Sequence, residues 1–195
     1  IDAAEHIVKS APAITGKKAK SCGPAAEEPL PVKVLDRDEG ALAQTLMEHY
    51  RRGETVMMLF RKSSDKSLIS EHIQPLINHE AGLPSEQRRF RQLTYHSAKG
   101  LQADAVFMLG DCQHLTSSPY KNQVYRQAGL GRAGDALAFD SAQKDEVLRL
   151  AYVAITRAAK HCYWYVEKPS GDTANLPRAS SQVDGRKAFF EDGRE

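Results

Sequence analysis

The most informative stretch of this chain reads Thr94-Tyr95-His96-Ser97-Ala98-Lys99-Gly100-Leu101-Gln102-Ala103-Asp104. It joins two short apolar segments, residues 91–95 and 105–110, which are predicted to be β-strands. Its polar side chains therefore follow the end of a strand, and open parallel sheets bind ligands at the carboxyl edge of their strands. Lys99 offers a positive charge there, and Gly100 lets the backbone approach a phosphate closely. The pattern predicts a site for a polyanion, whereas Lys99 taken alone is more typical of a solvated loop.

A second stretch ends in a single arginine and reads Leu150-Ala151-Tyr152-Val153-Ala154-Ile155-Thr156-Arg157-Ala158. Apolar residues at helical spacing predict an amphipathic helix from about Gln143, capped by Asp140 or Ser141. An arginine held at the end of a helix can neutralise the charge that develops on a transferring phosphoryl group. We expect Arg157 and Gly100 to lie near the carboxyl ends of the strands. For the arginine taken alone, a structural role on the surface is the alternative.

The order of the predicted elements indicates the fold class. Helices are predicted at 3–10, 38–52, 65–78 and from 143, and strands at 32–35, 54–60, 91–95, 105–110 and 160–167. Helices that alternate with strands imply an α/β fold with a mostly parallel sheet flanked by helices. We expect one domain over 1–168, with irregular loops at 11–31 and 113–140, and a polar C-terminal tail over 169–195. The third helix is expected to break near Pro75.

The composition limits the classes of function. The chain has 195 residues, of which 41% are hydrophobic, so it can bury one sizeable core. Its net charge is +2, which is not the global excess of positive charge that would indicate nucleic acid. No segment is typical of a membrane span or a secretion signal, so we expect a cytoplasmic protein. Three widely spaced cysteines fit reduced thiols. No C-x-x-C pair accompanies Cys112-x-His114 or His161-Cys162, and the sequence therefore predicts no metal site.

Basic and aromatic residues offer weaker signals for nucleic acid. The run Arg88-Arg89-Phe90-Arg91 leads into the strand before His96, where it would place positive charge beside a phosphate backbone. A solvated surface is the alternative for this run. Tyr95, Tyr120 and Tyr125 are candidates for stacking on the bases of a single strand, and a core or surface role is the alternative for each.

The two quoted stretches resemble motifs V and VI of the superfamily 1 DNA helicases of the UvrD/Rep type. Gln102-Ala103-Asp104 is similar to the DNA helicase IV branch, and Leu59-Phe60-Arg61-Lys62-Ser63 is a weaker match to a family strand that ends in Tyr-Arg-Ser. The order of elements resembles the second RecA-like domain of these enzymes over most of the chain. The resemblance implies a RecA-like three-layer α/β domain that serves ATP-driven 3′ to 5′ translocation on single-stranded DNA, duplex unwinding and DNA repair.

The resemblance also implies roles for individual residues. Arg157 matches the arginine finger of the family, a catalytic residue, and shares the ATP site with Gly100 and Gln102. Four residues match positions that contact DNA, namely Thr94, His96, Ser97 and Lys99. The implied cofactor is ATP with Mg²⁺, which is held mainly by a first RecA-like domain upstream. The implied partners are single-stranded DNA, DNA duplex junctions and that upstream domain.

The chain departs from the family pattern at several points. It has Gln102 where many members have Glu. It also has Glu146-Val147-Leu148-Arg149-Leu150 where motif VI often begins Glu-Glu-Arg-Arg-Leu, so the role of the first arginine of that motif is not assigned to a residue of this chain. The G-x-x-x-x-G-K-[ST] loop that cradles phosphates is missing, as is a strand ending in paired carboxylates. We therefore expect the isolated chain to lack ATPase activity. The alternative function is a helicase-like interaction or regulatory module that docks on RNA polymerase or a nuclease.

Overall fold

A five-stranded parallel sheet forms the centre of the protein. The computed structural model describes residues 32–36, 38–61, 63–110 and 118–166, so the predicted helix at 3–10, the loop at 11–31 and the tail at 169–195 lie outside the described residues. The strands are β1 (Val32–Asp36), β2 (Val56–Phe60), β3 (Phe90–Thr94), β4 (Ala103–Leu109) and β5 (Ala158–Val166). They lie in the order β1-β5-β4-β2-β3, and each neighbouring pair is parallel.

The described chain has four helices, of which the first, second and fourth pack on the two faces of the sheet. They are α1 (Glu39–Arg51), α2 (Ser63–Ala81), α3 (Pro119–Gln127) and α4 (Ala138–Ile155), and a 3-10 turn spans Ser85–Gln87. On one face, Leu42 and Leu46 of α1 and Ile69 and Ile73 of α2 are buried against strand residues such as Phe107. On the other face, Ala151 and Ala154 of α4 and Tyr95 and Ala98 of the loop after β3 are buried against strand residues such as Trp164. These three layers confirm the predicted α/β architecture.

The central strands explain why the sequence reveals the sheet. Every residue of β2 is buried, and β4 is buried from Ala105 to Leu109. A strand that is covered by helices on both faces needs a continuous apolar run, which is the signal that both segments carry. Within the described ranges, none of the helices has the length and apolar composition needed to cross a membrane.

The helices differ from the prediction in the middle of α2 and at the start of α4. The expected break near Pro75 is wrong, because α2 continues through this residue to Ala81, with Ile73 and Leu76 buried on either side. A proline removes only one backbone donor, and the packing around it compensates. The predicted caps at Asp140 and Ser141 are also wrong, since α4 begins at Ala138.

The stretch at 113–140 is not irregular throughout, because α3 lies within it. Ser118 caps this helix by accepting a hydrogen bond from the Lys121 backbone N–H at 3.4 Å, and Pro119 occupies the first turn. Serine followed by proline is a helix start signal that the sequence prediction overlooked. Asn122 then joins α3 to α4, since its side chain donates to the Asp140 carboxylate at 2.9 Å and accepts from the Phe139 backbone N–H at 2.9 Å.

The connection between β3 and β4 is short, and it runs from one edge of the sheet to the opposite edge. Both strands are parallel to β2, which lies between them, so residues 95–102 must return from the carboxyl edge to the amino edge. We call these eight residues the crossover. Tyr95 and Ala98 are fully buried and anchor it. The Tyr95 hydroxyl donates to the carbonyl oxygen of Leu109 at 3.1 Å.

Candidate functional site

The predicted site residues divide into two groups at opposite edges of the sheet. Thr94 ends β3, and His96 and Ser97 follow it at the carboxyl edge. Gly100 and Gln102 precede β4 and Arg157 precedes β5, which places all three at the amino edge. The expectation that Gly100 and Arg157 lie near the carboxyl ends is therefore wrong. The cause is the crossover, which reaches the opposite edge of the sheet before it arrives at the glycine.

The hydroxyl groups of the carboxyl-edge group are held in a tight turn. The side-chain oxygens of Thr94 and Ser97 lie 2.8 Å apart, and the Ser97 backbone N–H donates to the threonine oxygen at 3.3 Å. Ser97 is exposed and Thr94 is half-buried. The turn therefore presents two ordered hydroxyl groups, which are suited to hydrogen bonds with phosphate or sugar oxygens.

His96 joins this turn to helix α4. Its Nε2 lies 3.2 Å from Oε1 of Glu146, and both side chains are more than half exposed, at 55% and 56%. The sequence does not reveal this contact, because 50 residues separate the two positions. Lys99 is exposed further along the crossover. The carboxyl-edge group thus presents an imidazole and an ammonium to solvent, with one carboxylate beside the imidazole.

At the amino edge, Gly100 has a conformation that favours glycine. Its φ is +83°, and an added Cβ would meet nothing within 4 Å. The requirement is therefore conformational rather than steric, since other residues rarely adopt a positive φ. The chain then passes through the half-buried Leu101 to Gln102, whose side chain is exposed. The amide of Gln102 can donate to a ligand hydroxyl or accept from it.

Arg157 is fixed by three hydrogen bonds at the same edge. Its Nε donates to the Val153 carbonyl at 3.0 Å, Nη1 to the Leu101 carbonyl at 3.1 Å, and Nη2 to the Thr156 hydroxyl at 3.1 Å. The Arg157 carbonyl accepts from the Ala103 backbone N–H at 3.0 Å. A guanidinium carries five N–H donors, and three of them have an acceptor among the described residues. The arginine therefore joins the two motif-like stretches through side chain and backbone.

Asp104 is a structural residue at the amino edge of the sheet. Its carboxylate accepts hydrogen bonds from the Thr55 backbone N–H at 2.9 Å and the Thr55 hydroxyl at 2.7 Å, and Lys160 Nζ lies 3.0 Å away. The Thr55 side-chain bond, then its backbone bond, and also Lys160 lower the pKa of Asp104 to about 2. This carboxylate holds together the amino ends of β2, β4 and β5.

The arginine run at 88–91 is largely used within the fold. Arg88 donates to the carbonyl oxygens of Leu83 and Ala81, at 2.9 and 3.3 Å. Arg89 donates to the Tyr50 carbonyl at 3.1 Å and lies over the Tyr50 ring, with 4.4 Å between its Cζ and the ring centroid. These arginines stabilise the start of β3, so the structure gives a reason other than nucleic acid for their presence.

The three tyrosines proposed for stacking have different environments. Tyr95 is fully buried. Tyr125 is half-buried and packs edge to face on Phe139, with ring centroids 5.1 Å apart. Tyr120, in the first turn of α3, is 75% exposed. Of the three rings, the ring of Tyr120 is the one accessible to a base.

Comparison with known proteins identifies the class of this domain. The model of the UvrD-like helicase C-terminal domain matches residues 54–167. Both motif-like stretches lie inside this match, as do four of the five strands. More than half of the chain is covered, and the protein therefore belongs to the UvrD-like helicase C-terminal domain family.

The search of solved structures gives a similar domain. It is the crystal structure of the C-terminal domain of a possible DNA helicase from Lactobacillus plantarum WCFS1, with 16% identity and a TM-score of 0.46. The match covers 75% of this chain and 80% of that chain. Among curated proteins, no sequence matches this chain.

Proposed function

We propose that this chain is the C-terminal motor domain of an ATP-dependent DNA helicase and that Arg157 is its arginine finger. The observation that carries the proposal is the position of Arg157, which three hydrogen bonds hold against the crossover beside Gly100 and Gln102. An arginine that is already ordered contributes to catalysis without an entropic cost at the moment of reaction. Membership of a helicase domain family supports the same function.

The proposed nucleotide site lies between this chain and an upstream domain. ATP with Mg²⁺ binds mainly to a first RecA-like domain, which provides the phosphate-binding loop and the metal ligands. Gly100 and Gln102 approach the ribose from this side, and Arg157 contacts the γ-phosphate. Two guanidinium donors are not engaged by the described residues, which is enough for a bidentate contact with phosphate oxygens.

The proposed DNA track lies at the carboxyl edge. Thr94, Ser97 and His96 contact the phosphates and sugars of single-stranded DNA, and Lys99 adds a positive charge next to them. Such contacts hold a strand without reading its sequence, as translocation requires. The exposed ring of Tyr120 is the candidate for stacking on a base. Movement in the 3′ to 5′ direction, unwinding at duplex junctions and a role in DNA repair in the cytoplasm belong to the same proposal.

Two routes connect the DNA group to Arg157 and give the proposal a mechanism for coupling. The first is the crossover, which runs from His96 to Leu101, the acceptor of the Arg157 Nη1 bond. The second is α4, which contacts His96 through Glu146 and ends just before Arg157. The nine helical steps from Glu146 to Ile155 rise about 14 Å, and Arg157 follows two residues later. A displacement at one edge is transmitted to the other because both routes are packed on the same face of the sheet.

A second candidate function rests on a different observation. Among the described residues, the large apolar side chains that are exposed lie on α3 or between α3 and α4, namely Tyr120, Val124, Leu130 and Leu137. A group of exposed apolar side chains is typical of a surface that docks another protein. An interaction or regulatory module that binds RNA polymerase or a nuclease would use this surface instead of a DNA track.

The proposal is tested by comparing ATP turnover in two proteins. The 195-residue chain is expected to fold and to hydrolyse no ATP with or without single-stranded DNA, because it contains no phosphate-binding loop. The full-length protein with its upstream domain is expected to show DNA-stimulated turnover. Robust turnover by the isolated chain would refute the two-domain site. Absence of DNA-stimulated turnover in the full-length protein would favour the interaction module.

A further inference from the structure

Three potential metal ligands meet at the amino edge of the sheet, two of them close in sequence and the third on a distant strand. His49 lies near the end of α1, Glu54 lies in the loop before β2, and His161 lies in β5. One ligand atom from each residue lies within 4.8 Å of the other two. His49 is buried, and the other two side chains are half-buried. The cluster is separate from the proposed ATP and DNA groups, and none of its members has a role there.

The contacts of His49 orient its ring within the cluster. Its Nδ1 lies 2.5 Å from Oε2 of Glu54, and its Nε2 lies 2.8 Å from the Tyr163 hydroxyl. A neutral imidazole carries a hydrogen on only one nitrogen. At 2.5 Å the two atoms share a hydrogen, and a metal ion can bind both only by replacing that hydrogen and moving them apart to about 3.3 Å. The contact with Tyr163 then fixes the orientation of the His49 ring.

His161 supplies the second nitrogen. Its ring centroid lies 4.8 Å from that of His49. Burial and the neighbouring His49 lower the pKa of His161. One ring nitrogen of His161 lies within 4.8 Å of the ligand atoms of the other two residues. In a tetrahedral zinc site with bonds of about 2.0–2.1 Å, ligand atoms are roughly 3.3 Å apart. The cluster reaches this spacing if its widest pair, within 4.8 Å, approaches by up to about 1.5 Å and the pair of His49 Nδ1 and Glu54 Oε2, at 2.5 Å, separates by about 0.8 Å.

We propose that His49, Glu54 and His161 form a binding site for a divalent transition metal, with Zn²⁺ as the preferred ion. Two imidazoles and one carboxylate are a ligand set that suits zinc, and they leave a fourth position for water. Hard cations such as Mg²⁺ prefer oxygen ligands and are expected to bind poorly. The bound ion would join the end of α1 and the start of β2 to β5, which lies more than 100 residues further along the chain.

The positive charge of Lys160 repels a bound cation, which gives the proposal a second test. Its Nζ lies 3.8 Å from the other oxygen of Glu54 and 3.0 Å from Asp104. The positive charges of Lys33 and Arg52 also act on this cluster. Repulsion by these charges predicts moderate affinity, with a Kd on the order of 10 µM rather than the far tighter binding of closed structural sites. Removing the charge of Lys160 is therefore expected to strengthen binding.

The experiment is calorimetric titration of the metal-free 195-residue chain at neutral pH with Zn²⁺ and, separately, with Mg²⁺. We expect saturable zinc binding that raises the melting temperature, and no comparable effect of magnesium. His161→Ala is expected to weaken zinc binding at least about tenfold, since it removes a ligand. Lys160→Gln is expected to strengthen it several-fold. His72→Ala is the matched control, because it removes an exposed histidine on α2 and is expected to leave affinity unchanged.

The outcomes separate the proposal from adventitious binding. Equal zinc affinity in the wild type and His161→Ala, or no zinc binding by the wild type, would overturn the proposal. A similar loss in His72→Ala would show that the histidines act non-specifically and would overturn it as well. His49→Ala removes a buried side chain and can unfold the chain, so circular dichroism accompanies each titration. If His49→Ala does not fold, His161→Ala and Lys160→Gln decide the result.

Discussion

Arg157 donates a hydrogen bond from Nη1 to the carbonyl oxygen of Leu101 across 3.1 Å, and 56 residues of sequence separate the two. The return bond from Ala103 to the Arg157 carbonyl makes this junction two-sided. The two motif-like stretches therefore form one local structure at the amino edge. Because Arg157 makes structural hydrogen bonds as well as having a proposed catalytic role, the effects of its replacement on stability and on turnover must both be measured.

The first prediction concerns Arg157→Ala. Loss of three hydrogen bonds is expected to lower the free energy of unfolding of the isolated chain by about 1–3 kcal/mol. In the full-length protein, DNA-stimulated kcat is expected to fall by a factor on the order of 10² or more, while ATP affinity falls much less. Arg157→Lys is not expected to restore turnover, because an ammonium lacks the planar fork of a guanidinium. Thermal melting, ATP binding and turnover measured on the same variants test this.

Arg149→Ala is the matched control, because Arg149 is exposed on the same helix. It is expected to change turnover little. A stable Arg157→Ala protein with near-normal turnover would remove the catalytic role. A loss of every activity in proportion to the loss of stability would leave the arginine as a structural residue.

The second prediction concerns the contact between His96 and Glu146. His96→Ala in the full-length protein is expected to weaken single-strand binding and to uncouple unwinding from ATP hydrolysis, with the fold intact because the side chain is exposed. Glu146→Gln is expected to strengthen single-strand binding about two- to fivefold, since it removes a negative charge beside the track and keeps a hydrogen-bonding group. Fluorescence anisotropy with a labelled oligonucleotide measures both effects.

Glu71→Gln provides the comparison for the charge effect. It makes the same change at an exposed position of α2, on the opposite face of the sheet, and is expected to leave DNA affinity unchanged. If His96→Ala alters neither unwinding nor single-strand affinity, the histidine is only a structural contact of α4. If Glu146→Gln and Glu71→Gln behave alike, the carboxylate of Glu146 does not lie beside the strand.

The third prediction distinguishes DNA stacking from protein docking at α3. Tyr120→Ala is expected to weaken single-strand binding by the full-length protein about fivefold or more, and Tyr120→Phe to preserve it, because stacking needs the ring and not the hydroxyl. Val124→Ala changes a non-aromatic neighbour on the same helix and is expected to have little effect. Unchanged DNA affinity in Tyr120→Ala would contradict stacking and favour a docking role for the exposed apolar side chains.

The fourth prediction is a pH dependence of stability from Asp104. The pKa of its carboxyl is about 2 in the folded state, below the ordinary value of 3.8. A depressed folded pKa stabilises the fold above about pH 4, and this contribution is lost as the pH falls from 4 to 2. We expect about 1 kcal/mol, because the side chain is partly exposed and water screens its charge. Asp104→Asn should lower the urea midpoint at pH 6, and the difference should vanish near pH 2.

Thr55→Val tests the cause of this effect. It removes the hydroxyl whose hydrogen bond contributes most to the lowered pKa of Asp104, so it is expected to reproduce part of the loss at pH 6. A constant difference between wild type and Asp104→Asn from pH 6 to pH 2 would show that the carboxylate charge is not responsible.

The elements of the sheet were largely predictable from sequence, because a buried parallel strand requires a continuous apolar run. The spacing of Leu42 and Leu46 likewise indicated the buried face of α1, and Asp38 caps it through a 2.9 Å bond from Ala41. The position of Gly100 was predicted at the wrong edge. The order strand, loop, strand in a sequence does not show whether the loop stays at one edge of the sheet or crosses to the other. The direction of the crossover could therefore not be predicted.

Contacts between distant positions were the other part that the sequence did not reveal. His96 and Glu146 are 50 residues apart, and His49 and Tyr163 are 114 apart. Neither pair has a motif with fixed spacing, and the pairing follows only from the order in which the strands assemble. In the sequence, His161 could be considered as a metal ligand only together with its neighbour Cys162. That cysteine is buried, and burial raises its pKa to about 12.

The length of the crossover has a consequence for the evolution of this domain. From Thr94 to Ala103 the chain descends six residues of β4 and passes one strand, a distance of about 22 Å. Nine peptide steps reach about 30 Å when fully extended, so the segment has only about 8 Å of slack for its hydrogen-bonded turn region. A deletion of two residues would use up that slack and pull out the turn. An insertion would loosen it, and homologues are therefore expected to keep the length of this segment.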